Sequence, residues 1–133
     1  KPSMKTYIYL ASPYTALRDD GSYDDVLMQE RYDTVVSCFQ NLCASGLIVY
    51  CPIAMTHRVD CLYRDLNGTR MPPKFWYEFD KPFIQHASQL FVLKLPGWEK
   101  SEGLSEEIKT AIVRKLPIVY LEHHTAHATR LET

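Results

Sequence analysis

Apolar positions along this chain follow two patterns. Unbroken runs rich in β-branched and aromatic residues cover 6–10, 47–51, 89–95 and 116–121, and the first three end at a proline or a small residue. Runs of that length and kind predict strands buried on both faces. Between 24 and 44 the apolar residues Val26, Leu27, Tyr32, Val35, Val36, Phe39, Leu42 and Cys43 recur at helical spacing, and Ser45-Gly46 supplies a stop. Further helices are predicted over 74–86 and 101–115. The stretch 54–73 is mixed and polar, with breakers at Asn67-Gly68 and Pro72-Pro73, and reads as a long loop or a short helical excursion.

Strand and helix therefore alternate without repeats or low-complexity tracts. That order predicts a single α/β domain over 1–133, a doubly wound, flavodoxin- or Rossmann-like, mostly parallel sheet of four to five strands with helices on both faces. In such sheets ligands bind beyond the carboxyl ends of the strands, which points to the loops 11–23, 52–60 and 96–107.

Length, composition and charge narrow the function. A chain of 133 residues with 46% hydrophobic and 23% charged residues buries a core without staples, so disorder and fibrous classes drop out. The formal charge of −1 and the absence of basic runs give no polyanion surface, so no nucleic-acid polymer is expected as partner. No apolar run reaches membrane-spanning length, and no secretory leader is visible. A cytoplasmic protein with reduced thiols at Cys38, Cys43, Cys51 and Cys61 is the expectation, with Lys1, Pro2 and Ser3 read as additions ahead of Met4.

The chemistry centres on the turn and helix start between Leu95 and Ala111. Ser101 is an acceptable N-cap, and acids in the first turns are ordinary helix-start charge. Glu107 differs from Glu106 by sharing a helix face with the small Ala111, which lets the helix approach the sheet. Asp80, in the aromatic stretch 75–80, is a second acid, and its plain reading is a helix surface. Tyr9 on the first strand can donate to a carboxylate at the sheet's end, although strand tyrosines more often serve packing. His57 reads equally as a ligand contact or a surface residue. His123, His124 and His127 lack a third acidic partner and read as a solvated tail, so no metal is expected. Neither a Gly-x-Gly-x-x-Gly fingerprint nor a P-loop occurs, and no cofactor is expected.

Three segments carry a resemblance. Tyr7 to Tyr14 (Tyr-Ile-Tyr-Leu-Ala-Ser-Pro-Tyr), Asp80 followed after nine residues by Leu90-Phe91-Val92-Leu93, and Ser101-x-Gly103-x-x-x-Glu107-x-x-x-Ala111 resemble the nucleoside 2-deoxyribosyltransferase-like superfamily, within it a small uncharacterised branch of bacterial and phage proteins. The resemblance implies cleavage of the N-glycosidic bond of a 2′-deoxynucleoside or its 5′-monophosphate, with Glu107 as nucleophile at C1′, Asp80 as general acid or base contact, and Tyr9 holding the nucleophile. It further implies substrate contacts from Ser12, Pro13, Tyr14, Arg18 and Arg31 near sugar or phosphate, His57 and Trp98 flanking the base, and a homodimer or higher homo-oligomer. Serine rather than aspartate at 101 favours a 5′-monophosphate with water as acceptor, because a carboxylate there would repel phosphate. A base-exchanging transferase and a non-catalytic nucleotide-binding module stay open.

Overall fold

The computed structural model describes residues 6–123. In chain order the elements are β1 (Ile8–Ala11), α1 (Asp25–Ala44), β2 (Val49–Tyr50), α2 (Pro52–Asn67), α3 (Pro73–Gln85), β3 (Gln89–Lys94), α4 (Glu102–Val113) and β4 (Ile118–Glu122), with a 3-10 turn over Trp98–Lys100. The strands form one sheet in the order β2-β1-β3-β4, and every pairing is parallel. The doubly wound α/β fold expected from the alternation is therefore present, with four strands. Lys1, Pro2, Ser3, His124 and His127 lie outside the described residues.

The sheet is buried on both sides because successive side chains of a strand point to opposite faces. Ile8 and Leu10 of β1 and Phe91 and Leu93 of β3 pack with Val35, Cys38 and Leu42 of α1. Tyr9 and Ala11, with Leu90 and Val92, pack instead with Ile84 of α3 and with Leu104 and Ala111 of α4. This parity puts Tyr9 on the α3–α4 side. Ala111 is fully buried, and its small side chain lets α4 lie close to the sheet.

Helix ends follow local chemistry. Asp24 caps α1 by accepting from Leu27 N at 3.0 Å, and Ser101 caps α4 by accepting from Leu104 N at 3.2 Å. The largest departure from expectation is α2, sixteen residues long where a loop or short excursion was predicted. Pro52, read as a strand breaker, occupies the first helical turn, where its missing N–H is no loss. Gly68 ends the helix in the left-handed region at φ 82°, its N–H donating to Arg64 O at 2.8 Å. In consequence β2 pairs over two residues only, since the chain turns into α2 at once. Cys43 and Val26, expected on the buried side of α1, are exposed. Among the described residues no helix is long and apolar enough to cross a membrane.

Candidate active site

The winding of the sheet reverses between β1 and β3, and open parallel sheets form a crevice at such a point. A cavity of about 610 Å³ lies there, within the usual range for small-molecule sites. Its walls come from the end of β1 (Tyr9, Ala11, Ser12), the inner side of α2, the length of α3 and the start of α4.

Glu107 and Tyr9 meet in this cavity. The Tyr9 hydroxyl donates to Glu107 Oε2 at 2.5 Å. Glu107 lies one helical turn from both Leu104 and Ala111, the two residues that seat α4 on the sheet, so its side chain is delivered to the strand ends. Glu106, one position earlier, is exposed and pairs loosely with Lys109 at 3.7 Å. Burial pushes the Glu107 carboxyl up to about 8; the Tyr9 hydrogen bond works against that rise and the nearby Asp80 charge adds to it. Tyr9 is pushed well above its ordinary value by burial and by the neighbouring Glu107.

Asp80 lines the same cavity from α3, and its Oδ1 is buried without a hydrogen-bond partner among the described residues. Burial alone raises it to about 7. Two carboxyls withdrawn from water and raised in one cavity can divide a single proton between them, with the firmer hold at Glu107.

Of the other expected contacts, Ser12, Tyr14, Ser101 and Gly103 line the cavity. Gly103 has a packing reason as well, because a Cβ there would stand 3.0 Å from Tyr77 Cε1. Five expectations require correction. His57 is buried behind the cavity, stacked on Tyr32 at 4.0 Å with its ring nitrogens 2.6 Å from the Tyr14 hydroxyl and 3.1 Å from Gln29 Oε1. Trp98 packs against Tyr120 on the β4 side and does not reach the cavity. Arg18 is exposed and closes its own turn, donating to Tyr23 O at 2.8 Å. Pro13 is buried under the loop and is not a lining residue. Arg31 serves as a clamp, donating to Thr15 O at 2.9 Å and Pro96 O at 3.3 Å, which ties the loop after β1 to the loop after β3.

Residues that sequence reasoning overlooked form the outer wall. Arg70, buried at 4% exposure, donates to Asp60 Oδ2 at 2.7 Å, to Asp25 Oδ1 and to the Tyr14 hydroxyl at 3.2 Å. Asp60 Oδ1 accepts from Trp76 Nε1 at 3.2 Å and from Met71 N. This network locks the segment between α2 and α3 and fixes Trp76 and Tyr14 against the cavity. Lys74, Lys81 and Lys100 also stand among the lining residues. Lys81 lies 3.8 Å from Glu78, whereas Lys74 and Lys100 form no ion pair among the described residues. Lys100 directly precedes Ser101, a signal visible in the sequence; the Arg70–Asp60 pair, ten residues apart across a turn, had none.

The described region coincides with a family already delineated by sequence, described as Domain of unknown function (DUF1937), whose pattern matches residues 6–123. The chain belongs to this family. No curated protein matches it. Within DUF1937 the matched span takes in every element of the sheet and every cavity residue named above. Among the described residues no group of three or more His, Cys, Asp or Glu side chains is placed to hold a metal ion.

Proposed function

We propose that this DUF1937 protein cleaves the N-glycosidic bond of 2′-deoxynucleoside 5′-monophosphates. The observation that carries the reading is the Tyr9–Glu107 hydrogen bond inside a cavity that also holds the buried Asp80 Oδ1, without a partner among the described residues. In this reading the Glu107 carboxylate attacks C1′ as the C1′–N bond breaks, and the base leaves with the bonding pair and takes a proton from Asp80. The ionised Asp80 then removes a proton from water, which displaces Glu107 from C1′ and restores both carboxyls. A deoxyribosyl centre suits this chemistry because it lacks the electron-withdrawing 2′-hydroxyl that would oppose an oxocarbenium-like transition state.

Preference for a 5′-phosphate rests on the start of α4. Ser101 Oγ accepts from Leu104 N and keeps its own proton free to donate, the first-turn amides carry partial positive charge, and Lys100, one residue before Ser101, lines the same cavity. Lys74 on α3 adds a second cation to the cavity, without an ion pair among the described residues. The resemblance of Ser101-x-Gly103-x-x-x-Glu107 to the deoxyribosyltransferase-like motif supports the same reaction class.

The test is a panel of deoxynucleosides and their 5′-monophosphates, each incubated with and without an acceptor base and resolved by chromatography. Free base from monophosphates, independent of acceptor, is expected. Transfer exceeding hydrolysis would make the protein a base-exchanging transferase, and no base release from any substrate would leave a nucleotide-binding module.

A further inference from the structure

Helix α2 presents two contrasting sides. One side, carrying His57, Cys61 and Arg64, faces α1 and the Arg70 network. On the opposite side Met55, Val59, Leu62 and Leu66 follow one another at spacings of four, three and four, which aligns them in a single stripe along the axis. All four are exposed, from 46% at Met55 to 76% at Leu66, and Tyr63 flanks them at 37%. The stripe continues beyond the helix: the Tyr50 hydroxyl lies 3.8 Å from Met55 Sδ, Tyr50 stacks on Phe83 at 4.5 Å, and Phe79 and the exposed Phe75 extend the ladder along α3. Single exposed apolar residues are unremarkable, but an aligned and contiguous set marks a contact surface.

The charges beside the stripe identify what covers it. Arg58 and Asp65, seven residues apart, lie on the same flank, both exposed. They sit symmetrically about a midpoint between Cys61 and Leu62, one residue beyond the middle of the stripe. When two copies of α2 cross antiparallel at that midpoint, Arg58 of each copy stands opposite Asp65 of the other, and the Leu62 side chains meet at the centre. A surface that is complementary to itself under a two-fold rotation is the signature of an isologous interface. Asp65 already accepts from Arg64 of its own helix at 3.1 Å, which orients its carboxylate and leaves lone pairs for the incoming guanidinium.

We propose that two copies of this chain associate through α2, antiparallel, with the stripe from Met55 to Leu66 buried and the Arg58–Asp65 pairs closing one flank twice. The opposite copy then stiffens the helix whose neighbouring face supplies Pro52, Ile53, Thr56 and Asp60 to the cavity. The inference stands on geometry and charge and does not depend on the reaction proposed above.

The test is sedimentation of the full chain from about 1 to 100 µM, where mass action separates monomer from dimer. Wild type is expected to dimerise, and Arg58→Asp and Asp65→Arg each to weaken association by at least about 10-fold, because each places like charges opposite one another twice. Mixing the two weakened variants in equal amounts restores the dimer, since each heterologous contact again joins opposite charges. Leu66→Glu, at the most exposed stripe position, is expected to give monomers, and circular dichroism melts verify that each variant is folded. A wild type that stays monomeric, including one that binds phospholipid vesicles through the stripe instead, overturns the proposal. Folded single-charge variants that dimerise as wild type does, or that fail to reassociate on mixing, overturn it as well.

Discussion

Tyr9 and Glu107 are 98 positions apart in the chain, yet the hydroxyl of one donates to the carboxylate of the other at 2.5 Å. Two periodicities produce the contact. Strand parity turns Tyr9 toward the α3–α4 layer, and helical spacing from Leu104 and Ala111 turns Glu107 toward the same strand ends. The hydrogen bond holds one carboxylate oxygen still and opposes the upward push of burial on its proton affinity. Tyr9→Phe is expected to cost about 10–100-fold in kcat/KM, the worth of one hydrogen bond to a charged group. Base release that proceeds undiminished in the folded Phe variant would remove Tyr9 from the account.

Acid–base chemistry by the pair should show in the pH profile. With Asp80 raised to about 7 and Glu107 to about 8, the pair shares one proton between those values; it rests mostly on Glu107, and the reactive form, with Glu107 ionised and Asp80 protonated, is the minor arrangement of that proton. Below that window both carboxyls are protonated and no nucleophile exists; above it both are ionised and no acid exists. The expected kcat/KM profile is a narrow bell with limbs near about 7 and about 8. A profile that is flat from roughly pH 6 to pH 9 would contradict the pairing.

The same burial affects stability, with a definite sign. An acid whose folded value is raised binds its proton more tightly in the folded state, so the fold loses stability as pH rises from the ordinary value of 4.5 toward about 8. Glu107→Gln removes that penalty. It is expected to raise Tm by ~5 °C at alkaline pH and to change it little at the acid end of the window. An equal shift across the window, measured by scanning calorimetry, would show that the carboxyl is not held out of water.

Ser101→Asp should separate the phosphate from the rest of the substrate. The added carboxylate keeps the helix cap, since aspartate caps as well as serine, but repels a 5′-phosphate. A loss of about 10–100-fold in kcat/KM for monophosphates, with deoxynucleosides little affected, is the expected outcome. Equal losses on both substrate kinds would place the phosphate elsewhere.

Arg70 and Asp60 are buried together, and removing one leaves the other's charge without its partner. Arg70→Met is expected to cost about 3–5 kcal/mol in denaturant unfolding. A change within about 0.5 kcal/mol would mean that the pair does not anchor the segment between α2 and α3.

Much of the fold was legible because its signals are local. Strands buried on both faces write unbroken apolar runs, and Ser101, Gly103, Glu107 and Ala111 carry helix start, close approach and orientation in eleven consecutive residues. The outer wall was not legible for the same reason. Pro52 and Asn67-Gly68 are ambiguous between turn signals and helix ends, so the sequence leaves 54–73 as a long loop or a short helical excursion and His57 as either a ligand contact or a surface residue. Only the packing of α2 on α1 shows His57 stacked on Tyr32 and hidden from the cavity. Trp98 and Arg18 had the chemistry of ligand contacts, but the direction of Trp98 is set by Tyr120, which leaves no local trace, and that of Arg18 by the turn at Asp20-Gly21-Ser22, whose signal marks the turn and not where the arginine points.

The central claim is that Glu107 acts as the nucleophile, and base release by Glu107→Gln tests it most directly. The substitution keeps the shape of the side chain at the cavity wall while removing its charge. With wild type and variant both folded, the account predicts loss of at least about 10³-fold in free base formed from deoxynucleoside 5′-monophosphates, read by chromatography. Base release at the wild-type rate by the Gln variant would contradict it.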